Sequence, residues 1–258
     1  MPSNCNWIIP SWPAPRNILA FTTVRQGGVS KPPFDSFNLA QHVQDDPIDI
    51  AKNREILKTK ANLPNDPFWL NQVHGIEVVT VGDYSIPYPL LEADASVAFQ
   101  PNQVSVVLTA DCLPVLLCNK QGTCISAVHA GWRGLSKGVI EAAVLKMACD
   151  PKDLLVWLGP GIGPSAFEVG EEVLLAFKNS PQGDTAVDSA FKKNDKDRWF
   201  ADLYQLARFR LSRLGVKDVY GGEFCTYSDP ERFYSARRSK ITGRMATVIC
   251  ALSDPHQV

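Results

Sequence analysis

Short apolar runs separated by brief polar breaks organise the middle of the chain. Residues 104–109 (VSVVLT), 113–118 (LPVLLC) and 123–129 (TCISAVH) are too short for separate helices and read as core strands, with the polar turn 119–122 joining the last two as a hairpin. Upstream, residues 18–24 predict a strand that stops at Arg25-Gln26-Gly27-Gly28. Asp46 and Pro47 supply a cap and a first-turn proline for a helix to about Ala61, with Ile50, Leu57 and Ala61 on its packing face. Residues 68–73 and 76–81 predict a strand pair that turns at NQVHG around His74, and beyond a loop holding Pro87 and Pro89 another strand covers 94–99. After GWRG, the helical spacing of Leu135, Val139, Ala142 and Ala143 predicts one helix to about Cys149. Residues 154–158 read as a buried strand, 171–178 as a helix, 201–214 as a helix with Leu203, Leu206 and Leu214 inward, 216–220 as a strand and 245–252 as the closing strand. Residues 180–198 are polar and aperiodic, a surface excursion, and an edge pair is expected ahead of the closing strand.

Composition narrows the class. A chain of 258 residues, 45% hydrophobic and 21% charged, is a globular protein long enough to bury a sizeable core. Its net charge of −1 argues against nonspecific attraction to nucleic acid or to an anionic membrane. No apolar run approaches the length of a membrane span and the first residues lack a leader pattern, so the expected location is the cytoplasm. Seven cysteines, odd in number and scattered through apolar runs, suit reduced thiols. With no internal repeat or composition break, residues 1–258 are expected to form one domain.

Candidate chemistry collects where the strands end. Asp111 and Cys112 stand at one strand end, His129 at another just before GWRG, and His74 at the NQVHG turn. Two histidines and a cysteine are the ligand set of an open zinc site, although cysteine is among the most buried residue types and a strand-end histidine often only bonds a nearby carbonyl. No local spacing brings residues 74, 112 and 129 together, so their convergence depends on strand pairing. Asp111 and the NQVHG amides are candidates for orienting the imidazoles. Two places favour an anion: Arg25 beside Gly27-Gly28, and Arg133 in the first turn after His129. A plain glycine turn and an ordinary surface arginine are the competing readings. The basic cluster Arg237, Arg238, Lys240 and Arg244 gives the end of the chain a local positive charge that hints at an anionic ligand. Glu168, in the loop GPGIGPSAFEVG, reads as a solvated carboxylate ahead of a catalytic one.

The motifs FTTVRQGGVS, WLNQVHG, ADA, TADCLPVLLCN, AVHAGWRGL, WLGPGIGPSAFEVG, CTYSDPERFYSARR and TGRM, taken in order over residues 16–252, resemble the laccase-domain family. That family also goes by purine nucleoside phosphorylase, polyphenol oxidase and, in bacteria, peptidoglycan editing factor. The resemblance implies a single α+β domain in which mixed β-sheets pack together with helices on the outside, a layered α/β/β/α-like arrangement. It also implies that His74, Cys112 and His129 hold a metal, zinc first and copper as the alternative, with Cys112 and His129 in the catalytic centre. Ala236 departs from the tyrosine that family members carry before the paired arginines, so a substrate contact by that tyrosine is not carried over. The implied substrates are adenosine, inosine and methylthioadenosine, cleaved by phosphate, with adenosine deamination as a side activity and Arg25, Arg133 and Arg237 as expected substrate or phosphate contacts. Laccase-type oxidation is excluded on the histidines: a multicopper cluster consumes on the order of ten, and this chain has four, His42, His74, His129 and His256. The alternative is an amidase that removes L-serine from UDP-MurNAc-L-Ser, with Cys112 as thiolate nucleophile and His129 as base. A third reading makes the metal only a staple for the sheet.

Overall fold

The computed structural model describes residues 6–82, 90–180 and 185–253; Pro87, Pro89 and His256 lie outside these. The apolar runs become strands β1 (Ile18–Thr22), β2 (Val78–Thr80), β3 (Ala95–Ala98), β4 (Val104–Thr109), β5 (Leu113–Asn119), β6 (Ile125–Ala130) and β7 (Leu154–Leu158). Short strands β8 (Glu168–Val169), β9 (Phe191–Lys193) and β10 (Trp199–Ala201) follow, then β11 (Asp218–Gly221) and β12 (Met245–Ala251). The helices are α1 (Pro47–Lys60), α2 (Trp132–Lys137), α3 (Val139–Met147), α4 (Glu171–Lys178) and α5 (Leu203–Arg213). Asp46 caps α1 as expected, its carboxylate accepting from the Ile48 amide at 2.8 Å.

Two sheets carry the architecture. One is the antiparallel trio β1-β12-β4; the other is a mixed sheet in the order β11-β7-β5-β6-β3-β2, with β11 parallel to β7 and β2 parallel to β3. Strand parity divides the core cleanly. Leu113, Val115 and Leu117 of β5 face Val139, Ile140 and Ala143 of α3 and Leu203 and Leu206 of α5, while Leu116 and Cys118 face the other sheet through Val107 and Ile249. Beyond that sheet, Val106, Leu108 and Val248 pack with Leu57 of α1. The layers are therefore helices, six-stranded sheet, three-stranded sheet and helix, the α+β class expected. Strands covered on both faces explain why the central runs are almost continuously apolar. No helix among the described residues is long and apolar enough to cross a membrane.

Four local expectations are corrected. The helix after GWRG is two helices, because Gly138 takes φ +104° and breaks the ladder between α2 and α3. Residues 68–73 and 76–81 do not pair with each other: Phe68 and Asn71 make isolated bridges to Ser105 and Glu92, and β2 pairs with β3. The turn is held open from outside, since the Gln72 side chain exchanges two hydrogen bonds with the main chain of Leu108. The polar stretch 180–198 contains β9, which pairs with β10, so part of it is sheet. Residues 222–244 run as turns without a strand, so the expected edge pair is absent there.

Candidate metal centre

Register brings the chemistry together. In the β5–β6 hairpin Pro114 pairs with His129 and Leu113 with Ala130, which sets Cys112, one residue before β5, beside Gly131. On the other side of β6, Ala95 pairs with Val128, and the His129 amide donates to the Asp94 carbonyl at 2.7 Å. His129 shares the parity of Ala127 and Ile125, so it sits at the end of the sheet on the side facing the three-stranded layer. His74 arrives from the NQVHG turn, with φ +60° in the left-handed region that non-glycine residues seldom adopt. One ligand atom each from His74, Cys112 and His129 lies within 4.8 Å of the others. Cys112 Sγ is 3.8 Å from His74 Nε2, and the two imidazole rings meet edge-on at 4.8 Å.

A buried carboxylate, Asp94, organises this group. Its Oδ1 accepts from His129 Nδ1 at 2.7 Å and from the His74 amide at 2.9 Å; its Oδ2 accepts from the amides of Gly75 at 2.6 Å and Val73 at 3.3 Å. One side chain thus fixes the orientation of one imidazole and the strained backbone of the other. Burial works against ionising Asp94, but the hydrogen bond and charge of His129 together with the two loop amides hold its carboxyl below the usual range. Burial likewise opposes charge on His129, yet Cys112 and Asp94 outweigh it and raise the imidazole to about 9. At Cys112 burial opposes the thiolate, and the charge of His129 with hydrogen bonds from both histidines brings the thiol down to about 6. The sulfur is consequently ready to act as an anion near neutral pH.

The donor set fits a metal ion. Tetrahedral zinc with nitrogen and sulfur ligands spaces them roughly 3.3–3.6 Å apart, so only a small inward movement is needed, and the exposed His74 is free to make it. The space is kept clear by Gly131: a Cβ there would lie 2.9 Å from His74 Cδ2 and 3.0 Å from Cys112 Sγ. Among the described residues no fourth histidine, cysteine or carboxylate joins the group. Cys225 is engaged elsewhere, accepting from the Gly163 amide and the Ser228 hydroxyl.

Other expected site residues fall differently. Asp111 does not touch the imidazoles; at φ +91° it accepts from Thr226 Oγ1 and the Arg237 amide, each at 2.7 Å, and so ties the 222–244 segment to the centre. The NQVHG amides do serve the centre, through Asp94. Arg25 is committed to Asp35 and to the carbonyls of Asp35 and Pro230, while the Gly27 and Gly28 amides donate to Ser36 Oγ. Arg133 stacks on Trp132 at 4.3 Å, and Arg237 lies over Phe167 and donates to the Glu168 carbonyl. Arg25 and Arg133 line separate cavities, so the three arginines do not form one pocket. Glu168 pairs with Arg198 and accepts from Asn194, a structural carboxylate. Asp94 is the residue that sequence reasoning missed; the signal available was an acidic residue opening a strand buried on both faces.

A thiol and two imidazoles gathered over a buried carboxylate, at one end of stacked mixed sheets, define an α+β protein with a centre able to hold a metal ion. The chain belongs to the family described as multi-copper polyphenol oxidoreductase laccase, whose model matches residues 19–252. It is 49% identical over 242 residues to purine nucleoside phosphorylase YfiH of Escherichia coli, covering 94% of this chain and 97% of that protein. It is equally 49% identical over 244 residues to a purine nucleoside phosphorylase of Pseudomonas aeruginosa, with the same coverage of 94% and 97%. Among solved structures, Neisseria meningitidis protein NMB0706 superposes with a TM-score of 0.91 at 41% identity, over 96% of this chain and all of that one. YlmD from Geobacillus stearothermophilus gives 0.86 at 27% identity, covering 93% and 94%. With such relatives the chain is an enzyme. The family description names several coppers, and four histidines are too few for that cluster.

Proposed function

We propose that this enzyme is a metal-dependent purine nucleoside phosphorylase acting on adenosine, inosine and methylthioadenosine, with adenosine deamination as a side activity. The chain works as one domain in the cytoplasm on small-molecule substrates. His74, Cys112 and His129 hold the ion, and zinc suits a thiolate and two imidazoles, with copper the alternative. Bound there, the ion supplies Lewis acidity that polarises a substrate oxygen or ring nitrogen. Asp94 keeps the proton on His129 Nδ1, which leaves Nε2 turned to the centre. In phosphorolysis a phosphate oxygen bonds to the sugar C1′ as the bond from C1′ to the purine nitrogen breaks, and that nitrogen takes up a proton.

The observation that carries this reading is the open three-residue group over Asp94 in a chain whose close relatives are named purine nucleoside phosphorylases. A thiolate amidase needs only one imidazole beside Cys112, whereas here two imidazoles share the sulfur. The test offers adenosine and inosine to the zinc-loaded protein with and without phosphate, beside UDP-MurNAc-L-Ser. Base release that requires phosphate is expected; serine release from the precursor without nucleoside cleavage would overturn the proposal.

A further inference from the structure

Arg244 stands one residue before β12, at the end of the 222–244 segment, and is half-buried. Nη1 donates to the carbonyls of Thr242 at 2.8 Å and Gly243 at 3.0 Å, which leaves Nε and Nη2 without a partner among the described residues. Arg208 and Arg238 donate through both terminal nitrogens to two and three carbonyls, and four other arginines are paired with carboxylates: Arg25 with Asp35, Arg198 with Glu168, Arg210 with Glu141 and Arg232 with Asp229. Arg244 has no such pair among the described residues. A cation withdrawn from water without a counter-ion is costly, and two carbonyl dipoles do not neutralise it. In the antiparallel β12–β4 ladder Met245 pairs with Thr109, which sets Arg244 across from Ala110, two residues before Cys112.

The space in front of it matches that need. Arg244, His42, Gln44, Lys240 and Thr242 line a cavity of about 190 Å³ whose lining contains no carboxylate. That is smaller than the roughly 300 Å³ at which organic ligand pockets begin, but it is large enough for a tetrahedral oxyanion with bridging waters. His42 adds a ring N–H to that lining. An arginine fork, a lysine and neutral donors without acceptor charge make a receptor for a tetrahedral oxyanion.

We propose that this cavity is the oxyanion subsite of the metal centre and that inorganic phosphate occupies it. The identity of the occupant rests on the phosphorylase reading; the preference for an oxyanion does not. Calorimetric titration of inorganic phosphate into the zinc-loaded protein tests it, with Arg244→Gln, His42→Ala, Lys240→Ala and Arg25→Ala as variants. Arg244→Gln should weaken binding about ten- to a hundredfold, and the variants His42→Ala and Lys240→Ala by about tenfold or less. Those two guard against a folding defect in Arg244→Gln, whose melting curve is recorded alongside. Equal affinity in wild type, Arg244→Gln and Lys240→Ala, or a loss confined to Arg25→Ala, would overturn the proposal. If Arg244-dependent phosphate binding accompanies base release that ignores phosphate, the subsite stands and the phosphorylase reading falls. Titration with UDP then identifies a diphosphate-bearing substrate as the source of the anion.

Discussion

Replacing Asp94 by asparagine changes no volume, yet it should disable the centre. The carboxylate accepts four hydrogen bonds, two at each oxygen, and it is fully buried. An amide must turn its NH2 either toward the Gly75 and Val73 amides or toward His129 and the His74 amide. In the first orientation the NQVHG turn loses its anchor; in the second, His129 must give up the Nδ1 proton and carry it on Nε2, where it blocks a metal. Each charge-assisted hydrogen bond contributes about 1.5–3 kcal/mol, so loss of one pair predicts roughly 3–6 kcal/mol of stability, with no discount for solvent at a buried group. Zinc affinity should fall about ten- to a hundredfold, the usual effect of removing a carboxylate behind a ligating imidazole. Because the Asp94 carboxyl is held low in the folded state, its stabilisation is present above the ordinary carboxylate range and is lost as pH falls through the lowered value. The gap between wild type and variant should therefore close in acid. Guanidinium unfolding of the metal-free proteins and zinc competition against a chromophoric chelator measure the two effects. Equal zinc affinity and stability within about 0.5 kcal/mol of wild type would refute the assignment.

Gly131→Ala should lower zinc content and affinity at least about tenfold with little change in melting temperature, because the nearest atoms its Cβ would meet are those of the His74 ring and the Cys112 sulfur; full zinc occupancy in the variant, read by metal analysis, would contradict this. Cys112→Ala should abolish activity and leave the fold nearly intact, since a core this size does not need a metal staple; a large drop in melting temperature, matched by chelation of wild type, would favour the structural role. In metal-stripped protein, Cys112 should alkylate with a midpoint near pH 6, the value set by its histidines, and zinc should protect it. That depressed thiol stabilises the metal-free fold above its unfolded value and loses the contribution as pH falls through about 6. The raised His129 contributes below its unfolded value and loses it as pH rises through about 9. The two shifts largely describe one interaction, so they do not add. Arg25→Ala should cost about 1–2 kcal/mol of stability, reduced for partial exposure, and leave phosphate dependence unchanged, because its fork is spent on Asp35 and Pro230.

His74, Cys112 and His129 were legible because chemistry-bearing residues at strand ends stand out against apolar runs, and the hairpin that sets Cys112 beside Gly131 is visible as a polar turn. Their convergence was not, since His74 on the NQVHG turn is tied to Asp94, and the residues after Asp94 reach His129 only through the long-range register of β3 with β6. Asp94 read only as the first residue of a strand; its partners, the Val73, His74 and Gly75 amides and the His129 ring, come together only in the fold. Arg25 and its glycine pair looked like an anion turn, but Ser36 Oγ takes both amides and Asn53 packs where a Cβ on Gly28 would go. Local sequence shows which donors exist, not which are already used. The C-terminal basic cluster was visible as charge, whereas the environment of the Arg244 fork depends on carbonyls and a cavity that only the fold assembles.

The most direct test of a metal-dependent phosphorolytic centre is the sugar product of inosine cleavage. Wild type stripped of metal, wild type reloaded with zinc, and Cys112→Ala are compared in phosphate buffer. Ribose 1-phosphate should form in step with hypoxanthine in the reloaded protein and in neither of the others. Free ribose in its place, or equal ribose 1-phosphate from the stripped protein, would contradict the account.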